Sequence, residues 1–370
     1  MGSAMNHSST APWPSHGGQS ESILAYYGFP KEHKVIDFST NLNPLGPPAW
    51  LSRFIHSQLD ALALYPDPNY TDAINAIAQA EGVQPEQVCL TNGGSEAIFL
   101  SASLFAGKRS LILEPTFAEY RRACDHYGLT SSIKQLSTPD FHLPKQAIFA
   151  EMAAQDVVFI ARPNNPTGIL IGMEEMEEWI DQAKKTNCTL IVDEAFIDFA
   201  PHEQNQLPRY LDENTPLILL RSLTKMFTLP GLRIGYILAN PECIAQLKKR
   251  QIPWSVNTFA ANIVPHLLHD SEFLAATHDW LTQEHAWLLP QLRELHYSIP
   301  PTQANFFLLQ PPSAERDSNA LLPFLLQRGL LARHTHNFAG LNGSALRFAI
   351  RSRTDNAQLL NALREWSGSS

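Results

Sequence analysis

Lys225 ends the run Arg221-Ser222-Leu223-Thr224-Lys225, and a second run, Pro230-Gly231-Leu232-Arg233-Ile234-Gly235-Tyr236, follows closely. A lone lysine on a loop is usually only solvated. One flanked by Ser222 and Thr224, with Arg233 downstream, is harder to dismiss. Two hydroxyls and a guanidinium suit a phosphate, and a neutral lysine amine is a nucleophile for an aldehyde. Three motifs precede it. Asn92-Gly93-Gly94-Ser95-Glu96-Ala97 opens an apolar helix pattern, where small residues let backbone N–H groups approach an anion that the helix dipole also favours. Alone it reads more simply as a glycine turn capped by Ser95. Arg162-Pro163-Asn164-Asn165-Pro166-Thr167-Gly168 offers the Asn165 amide to a phenolic oxygen, although a turn chosen for its conformation has the same composition. Asp193-Glu194-Ala195-Phe196 supplies a carboxylate that can bond a pyridine nitrogen and keep it protonated. A helix cap or a metal ligand is the plainer alternative there, but no clustered His or Cys supports a metal. Together the four motifs meet the needs of one aldehyde-bearing, phosphorylated pyridine cofactor.

Each motif follows a short apolar run, and those runs must position it. Val88 to Leu90, Ser110 to Leu113, Val157 to Ala161, Leu190 to Val192 and Leu217 to Leu220 read as buried strands, separated by amphipathic helical patterns such as Glu174 to Thr186. This alternation predicts an α/β fold with a mainly parallel sheet, whose ligands sit beyond the carboxyl ends of the strands. From about Trp254 onward the pattern changes to long helices, followed by strand-like Asn305 to Leu309, Leu330 to Arg333 and Leu346 to Ile350. With the N-terminal segment this predicts a smaller α+β domain: residues 46–255 form the large domain, and 16–45 with 256–370 form the small one.

Composition narrows the function classes. The 370 residues are 44% apolar and 17% charged, enough to bury a large core without disorder in the bulk. A net charge of −9 argues against general nucleic-acid binding, so anionic substrates must meet locally placed arginines. The four cysteines, Cys89, Cys124, Cys188 and Cys243, form no pairing framework, and a reducing cytoplasm is the simplest home. No apolar run approaches membrane-spanning length, and residues 1–15 read as a tag remnant and a flexible N-terminus.

The ordered motifs resemble the fold-type I pyridoxal-phosphate enzymes of the aspartate aminotransferase superfamily, over His16 to about Trp366. The resemblance implies pyridoxal 5'-phosphate as cofactor and no metal. It makes Asn165, Asp193, Lys225 and Arg233 cofactor residues, with Gly94, Ser95, Glu96, Ser222 and Thr224 around the phosphate. Phe117 would cover the pyridine face, and Tyr65, in Leu64-Tyr65-Pro66-Asp67, would cross a homodimer interface to the partner's cofactor phosphate.

Within the superfamily the chain is similar to the histidinol-phosphate aminotransferase branch, and in that branch to the threonine-phosphate decarboxylases of cobalamin biosynthesis. The stretches that carry this are His16-Gly17-Gly18, Asp37 to Gly46, Asp193 to Phe199, Pro253 to Asn257 and Arg347 to Ser352. Aminotransferases of the branch carry Tyr where Phe196 stands. The resemblance implies a small phosphorylated amino-acid substrate, with Arg347 on its carboxylate, Arg333 on its phosphate, and His16, Gly17, Asn43 and Asn165 also in contact. The expected reaction is decarboxylation of L-threonine O-3-phosphate. Amino transfer from histidinol phosphate shares every cofactor residue, and a non-catalytic protein on the same scaffold is the third reading.

Overall fold

Runs that are apolar on nearly every residue form strands covered on both faces, and here they make the centre of a seven-stranded sheet. The computed structural model describes residues 13–311 and 317–368; most of the stretch read as a tag remnant, residues 1–12, lies outside the described residues. In chain order the strands are β1 (Ile36–Asp37), β2 (Val88–Thr91), β3 (Arg109–Glu114), β4 (Thr130–Gln135), β5 (Val157–Ala161), β6 (Thr189–Asp193), β7 (Leu217–Ser222), β8 (Gly235–Leu238), β9 (Phe306–Leu309), β10 (Leu330–Leu331), β11 (Arg333–His334) and β12 (Leu346–Ala349). The large sheet has the order β2-β8-β7-β6-β5-β3-β4. Only β8 is reversed, pairing antiparallel with both β2 and β7.

Strand alternation sends successive side chains to opposite faces. Val158, Ile160, Leu190, Val192, Leu217 and Leu219 enter one core, with Trp179 of the helix Met173–Thr186. Val157, Phe159, Ile191, Ile218 and Leu220 enter the other, with Ala97 of the helix Gly93–Ser103 and Ile244 of Pro241–Arg250. The sheet is therefore sandwiched between two helical layers, and its parallel strands end together at Glu114, Ala161, Asp193 and Ser222.

Two strands lie outside the sequence expectation. β4 is a half-exposed edge strand of polar residues, without the apolar run that marks the others. β8 follows the arginine loop so closely that the loop's chemistry masks its start. The expected strand Leu330 to Arg333 divides at Ala332: β10 pairs parallel with β1, while β11 pairs antiparallel with β12. The N-terminal segment is thus bonded to the C-terminal third. Arg351 adds to that tie, donating to the Asp37 carbonyl at 3.0 Å and to the Asp355 carboxylate at 2.9 Å. No helix among the described residues is long and apolar enough to cross a membrane.

Candidate active site

The carboxyl ends of the parallel strands open onto a cavity of about 560 Å³. Asp193, the last residue of β6, faces it. Its Oδ1 accepts the Ala195 backbone N–H at 3.0 Å and its Oδ2 accepts the Tyr120 hydroxyl at 2.7 Å. Burial raises the Asp193 pKa, and these two donors oppose that rise. Phe117 lines the same wall, edge-on to Tyr120. Across the cavity, Phe196 packs edge-on against Phe306 with ring centroids 4.9 Å apart, and it carries no hydroxyl to donate.

The phosphate-type motifs converge at one end. Gly94 and Ser95 begin the helix Gly93–Ser103, Ser222 ends β7, and Thr224 and Arg233 complete the wall. Gly93 has φ +77°, and a Cβ there would sit 2.7 Å from the Arg233 guanidinium. A Cβ at Gly235 would meet the Arg221 carbonyl at 2.8 Å and the Gly93 backbone at 2.9 Å, so β8 passes the turn only because it starts with glycine. The Thr224 hydroxyl donates to the Ile234 carbonyl at 3.4 Å, a long bond.

Lys225 projects into the cavity from the one-turn helix Leu223–Met226. Burial, then Arg347 and Arg233, lower its pKa to about 8, while Asp193 opposes them. Behind the strand ends, fully buried Glu194 lies 2.6 Å from Arg162 and 2.9 Å from Arg221. The Arg162 contact is a true hydrogen bond; Arg221 meets Glu194 by charge without aligned donors. This cluster fastens the ends of β5, β6 and β7 directly beneath Asp193 and Ser222.

Arg333 and Arg347 are register partners on β11 and β12, so both side chains leave the same face of the small sheet, and both line the cavity. Arg347 donates to Asn165 Oδ1 at 2.6 Å and to the Ser39 carbonyl at 2.7 Å, while its buried Nε has no hydrogen-bond partner. Burial and the Arg333 charge bring its pKa down to about 9, still cationic at neutral pH. Burial alone takes Arg333 to about 10. Arg333 donates to the carbonyls of Pro14 and Ser15 and, at 2.8 Å, to Asn337 Oδ1. The segment carrying those carbonyls also brings His16 and Gly17 to the cavity, with His16 Nε2 3.3 Å from Glu119 Oε1.

Two expected site residues stand elsewhere, and a third, Tyr65, is expected at the partner's cofactor and not in this cavity. Glu96 accepts the Asn92 N–H and the Ser255 hydroxyl, so it closes the turn instead of facing the cavity. Asn43 is buried with its amide donating to the Met226 carbonyl at 2.9 Å and to Thr277 at 2.7 Å, while its backbone N–H donates to the Lys225 carbonyl at 3.2 Å. It clamps the lysine turn, and its neighbours Asn41 and Leu42 line the cavity in its place. Tyr65 is 83% exposed beside Trp254, away from this chain's cavity. Tyr120, Ser39 and Asn41 were not singled out from sequence. Tyr120 reads there as one more core aromatic of an amphipathic helix, and only its three-residue spacing from Phe117 hints that the two share a face.

Residues 33–365 match the Aminotransferase class I and II family. The chain belongs to that family. It is 36% identical over 366 residues to a threonine-phosphate decarboxylase of Salmonella typhimurium, covering 94% of this chain and 95% of that one. Among solved structures it is similar to the histidinol-phosphate aminotransferase of Clostridium acetobutylicum, with a TM-score of 0.84 and 30% identity over 90% of this chain and 99% of that one. It is also similar to the L-threonine-O-3-phosphate decarboxylase of Porphyromonas gingivalis, with a TM-score of 0.79 and 25% identity over 89% and 98% of the two chains. The chain is therefore a pyridoxal-phosphate enzyme of this family. The residues present fit that cofactor: a glycine cradle that a Cβ would fill, a buried acid, and a lysine whose amine is deprotonated at mildly alkaline pH.

Proposed function

We propose that this enzyme decarboxylates L-threonine O-3-phosphate to (R)-1-amino-2-propanol O-2-phosphate, as a homodimer. The observation that carries the reading is the arginine pair. Like charges placed directly opposite each other on paired strands are destabilising, and burying them adds a desolvation cost. Arg333 and Arg347 are both buried and both open to one cavity, an arrangement stabilised by a ligand with two anionic groups. Threonine phosphate presents a carboxylate and a phosphate in one molecule, which occupies both arginines at once; of the alternative pair, histidinol phosphate presents a phosphate alone and 2-oxoglutarate two carboxylates.

When bound, pyridoxal phosphate supplies the electron sink for the pair released at the substrate's α-carbon. Lys225 Nζ would hold the cofactor and, once the substrate amine has taken its place, would return a proton to that carbon. Asp193 would keep the ring nitrogen protonated, and Ser95, Ser222 and Arg233 would hold the cofactor phosphate with the backbone of Gly94. Arg347 grips the substrate carboxylate, and Arg333 the substrate phosphate once the Pro14 and Ser15 carbonyls yield its donors. Asn165 orients Arg347 and donates to the cofactor's phenolic oxygen, a bond that Phe196 cannot duplicate. His16 and Gly17 cover the substrate from the N-terminal segment.

Similarity to the Clostridium acetobutylicum aminotransferase supports the second reading, amino transfer from histidinol phosphate. Supplying purified holoenzyme with threonine phosphate and measuring carbon dioxide, beside histidinol phosphate with 2-oxoglutarate and measuring glutamate, separates the two. Carbon dioxide from the first mixture and no glutamate from the second is the expected result. Glutamate alone would sink the decarboxylase reading.

A further inference from the structure

The two oxygens of Asp193 have different sources of support. Oδ1 is held by the Ala195 N–H of its own turn, whereas Oδ2 is held by the Tyr120 hydroxyl, reaching across from the helix Glu119–His126. Tyr120 has little freedom. It is 2% exposed, its ring stacks on Phe159 of β5 at 5.7 Å with the planes 21° apart, and Phe117 meets it edge-on at 6.0 Å. The hydroxyl is therefore fixed in direction by packing on a central strand. An acceptor held by two preset donors keeps its remaining lone pairs pointed one way, here into the cavity that Asp193 lines.

We propose that Tyr120 is a positioning residue that acts through Asp193, aiming its carboxylate at the cofactor's ring nitrogen. The electrostatics run the same way. Burial raises the Asp193 pKa, and the Tyr120 hydrogen bond is the largest influence against it. Tyr120 itself stays a donor, since burial and the Asp193 charge push its own pKa well above 10.0. Removing the hydroxyl would leave a buried acid with one donor and a greater tendency to protonate, and a protonated acid cannot pair with a pyridinium.

This rests on Asp193 being the partner of the ring nitrogen, so the test measures both residues. Tyr120→Phe keeps the ring and its packing; Asp193→Asn removes the charge; the double variant closes the cycle. Each is titrated with pyridoxal phosphate and the dissociation constant read from absorbance, which needs no knowledge of the substrate. Tyr120→Phe should weaken cofactor binding about tenfold in the wild-type background, the scale of one hydrogen bond to a charged group. In the Asp193→Asn background the same change should alter binding by less than about twofold, because a residue acting through Asp193 has nothing left to act on. Tyr120→Phe binding like wild type, or weakening equally in both backgrounds as a packing role would, overturns the proposal while leaving Asp193's role intact. If Asp193→Asn alone binds like wild type, the ring-nitrogen assignment fails and Tyr120's role falls with it.

Discussion

At Lys225, burial and two cations outweigh one carboxylate, and the shift that follows can be measured. Its pKa lies at about 8 against an ordinary 10.5, because burial, Arg347 and Arg233 outweigh Asp193. The neutral amine is the reactive form. Borohydride-trapped incorporation of pyridoxal phosphate into cofactor-free protein should therefore rise with pH through about 8 and then level off. Arg347→Gln, which removes the second-largest cause, should move that midpoint upward. A wild-type midpoint at about 10.4, that of a solvated lysine, would contradict the geometry. Stability carries the same sign. The native pKa lies below the unfolded one, so between about 8 and 10.5 the unfolded chain binds more protons and the cofactor-free protein gains stability as pH rises. Residue types in order brought Lys225, Asp193, Asn165 and Arg233 forward from sequence, and all four line the one cavity. Asn43 and Glu96 were misread as ligand contacts for a physical reason. Whether a polar side chain faces a cavity or bonds nearby backbone depends on tertiary packing, which residue type does not carry.

At the scale of elements, the site is only as well placed as the strand ends that carry it. Glu194 follows Asp193 and lies between Arg162 and Arg221, joining the ends of three strands. Removing one member of a buried ion cluster leaves uncompensated charge and costs about 3–5 kcal/mol. Glu194→Gln should lower the urea midpoint by that amount of stability without touching any group that faces the cavity. A midpoint within error of wild type would show that the two arginines find other partners, such as Glu81 at 3.6 Å or Asp198 at 3.9 Å from Arg221. Gly235 tests the other side of the same joint. Its absent Cβ leaves room for backbone on two sides, so Gly235→Ala should displace the Gly93 turn and weaken cofactor binding more than it weakens the fold, read by comparing pyridoxal phosphate affinity with the melting temperature of the cofactor-free protein. The strands β5, β6 and β7 were legible because strands buried on both faces are apolar at every position. The polar edge strand β4 and the reversed strand β8 were not, since neither has that signature.

For the whole molecule, the mainly parallel sheet followed from the alternation of apolar runs and amphipathic helices. The grouping of the N-terminal segment with the C-terminal third followed too, but not the parallel pairing of β1 with β10 that makes the tie, because two-residue strands carry no register signal. Leu62, Leu64, Tyr65 and Ile252 are 64%, 71%, 83% and 74% exposed, and Trp254, half exposed, leans on Tyr65 at 5.1 Å. So many exposed large apolar side chains are unusual on a monomer and suit an interface. The proposed occupant is a second copy, which in a two-fold dimer would cover the same patch on both chains and bring Tyr65 of each to the other's cofactor phosphate. Two variants separate assembly from chemistry. Leu62→Asp with Leu64→Asp buries charge in the interface and should give a monomer by sedimentation velocity, with loss of cofactor affinity. Tyr65→Phe removes only a hydroxyl, so the dimer should persist while the dissociation constant for pyridoxal phosphate rises about tenfold, the worth of one hydrogen bond to an anion. A dimer that survives both aspartates places the interface elsewhere on the surface. Unchanged affinity in Tyr65→Phe would mean that each active site holds its cofactor phosphate with the residues of its own chain.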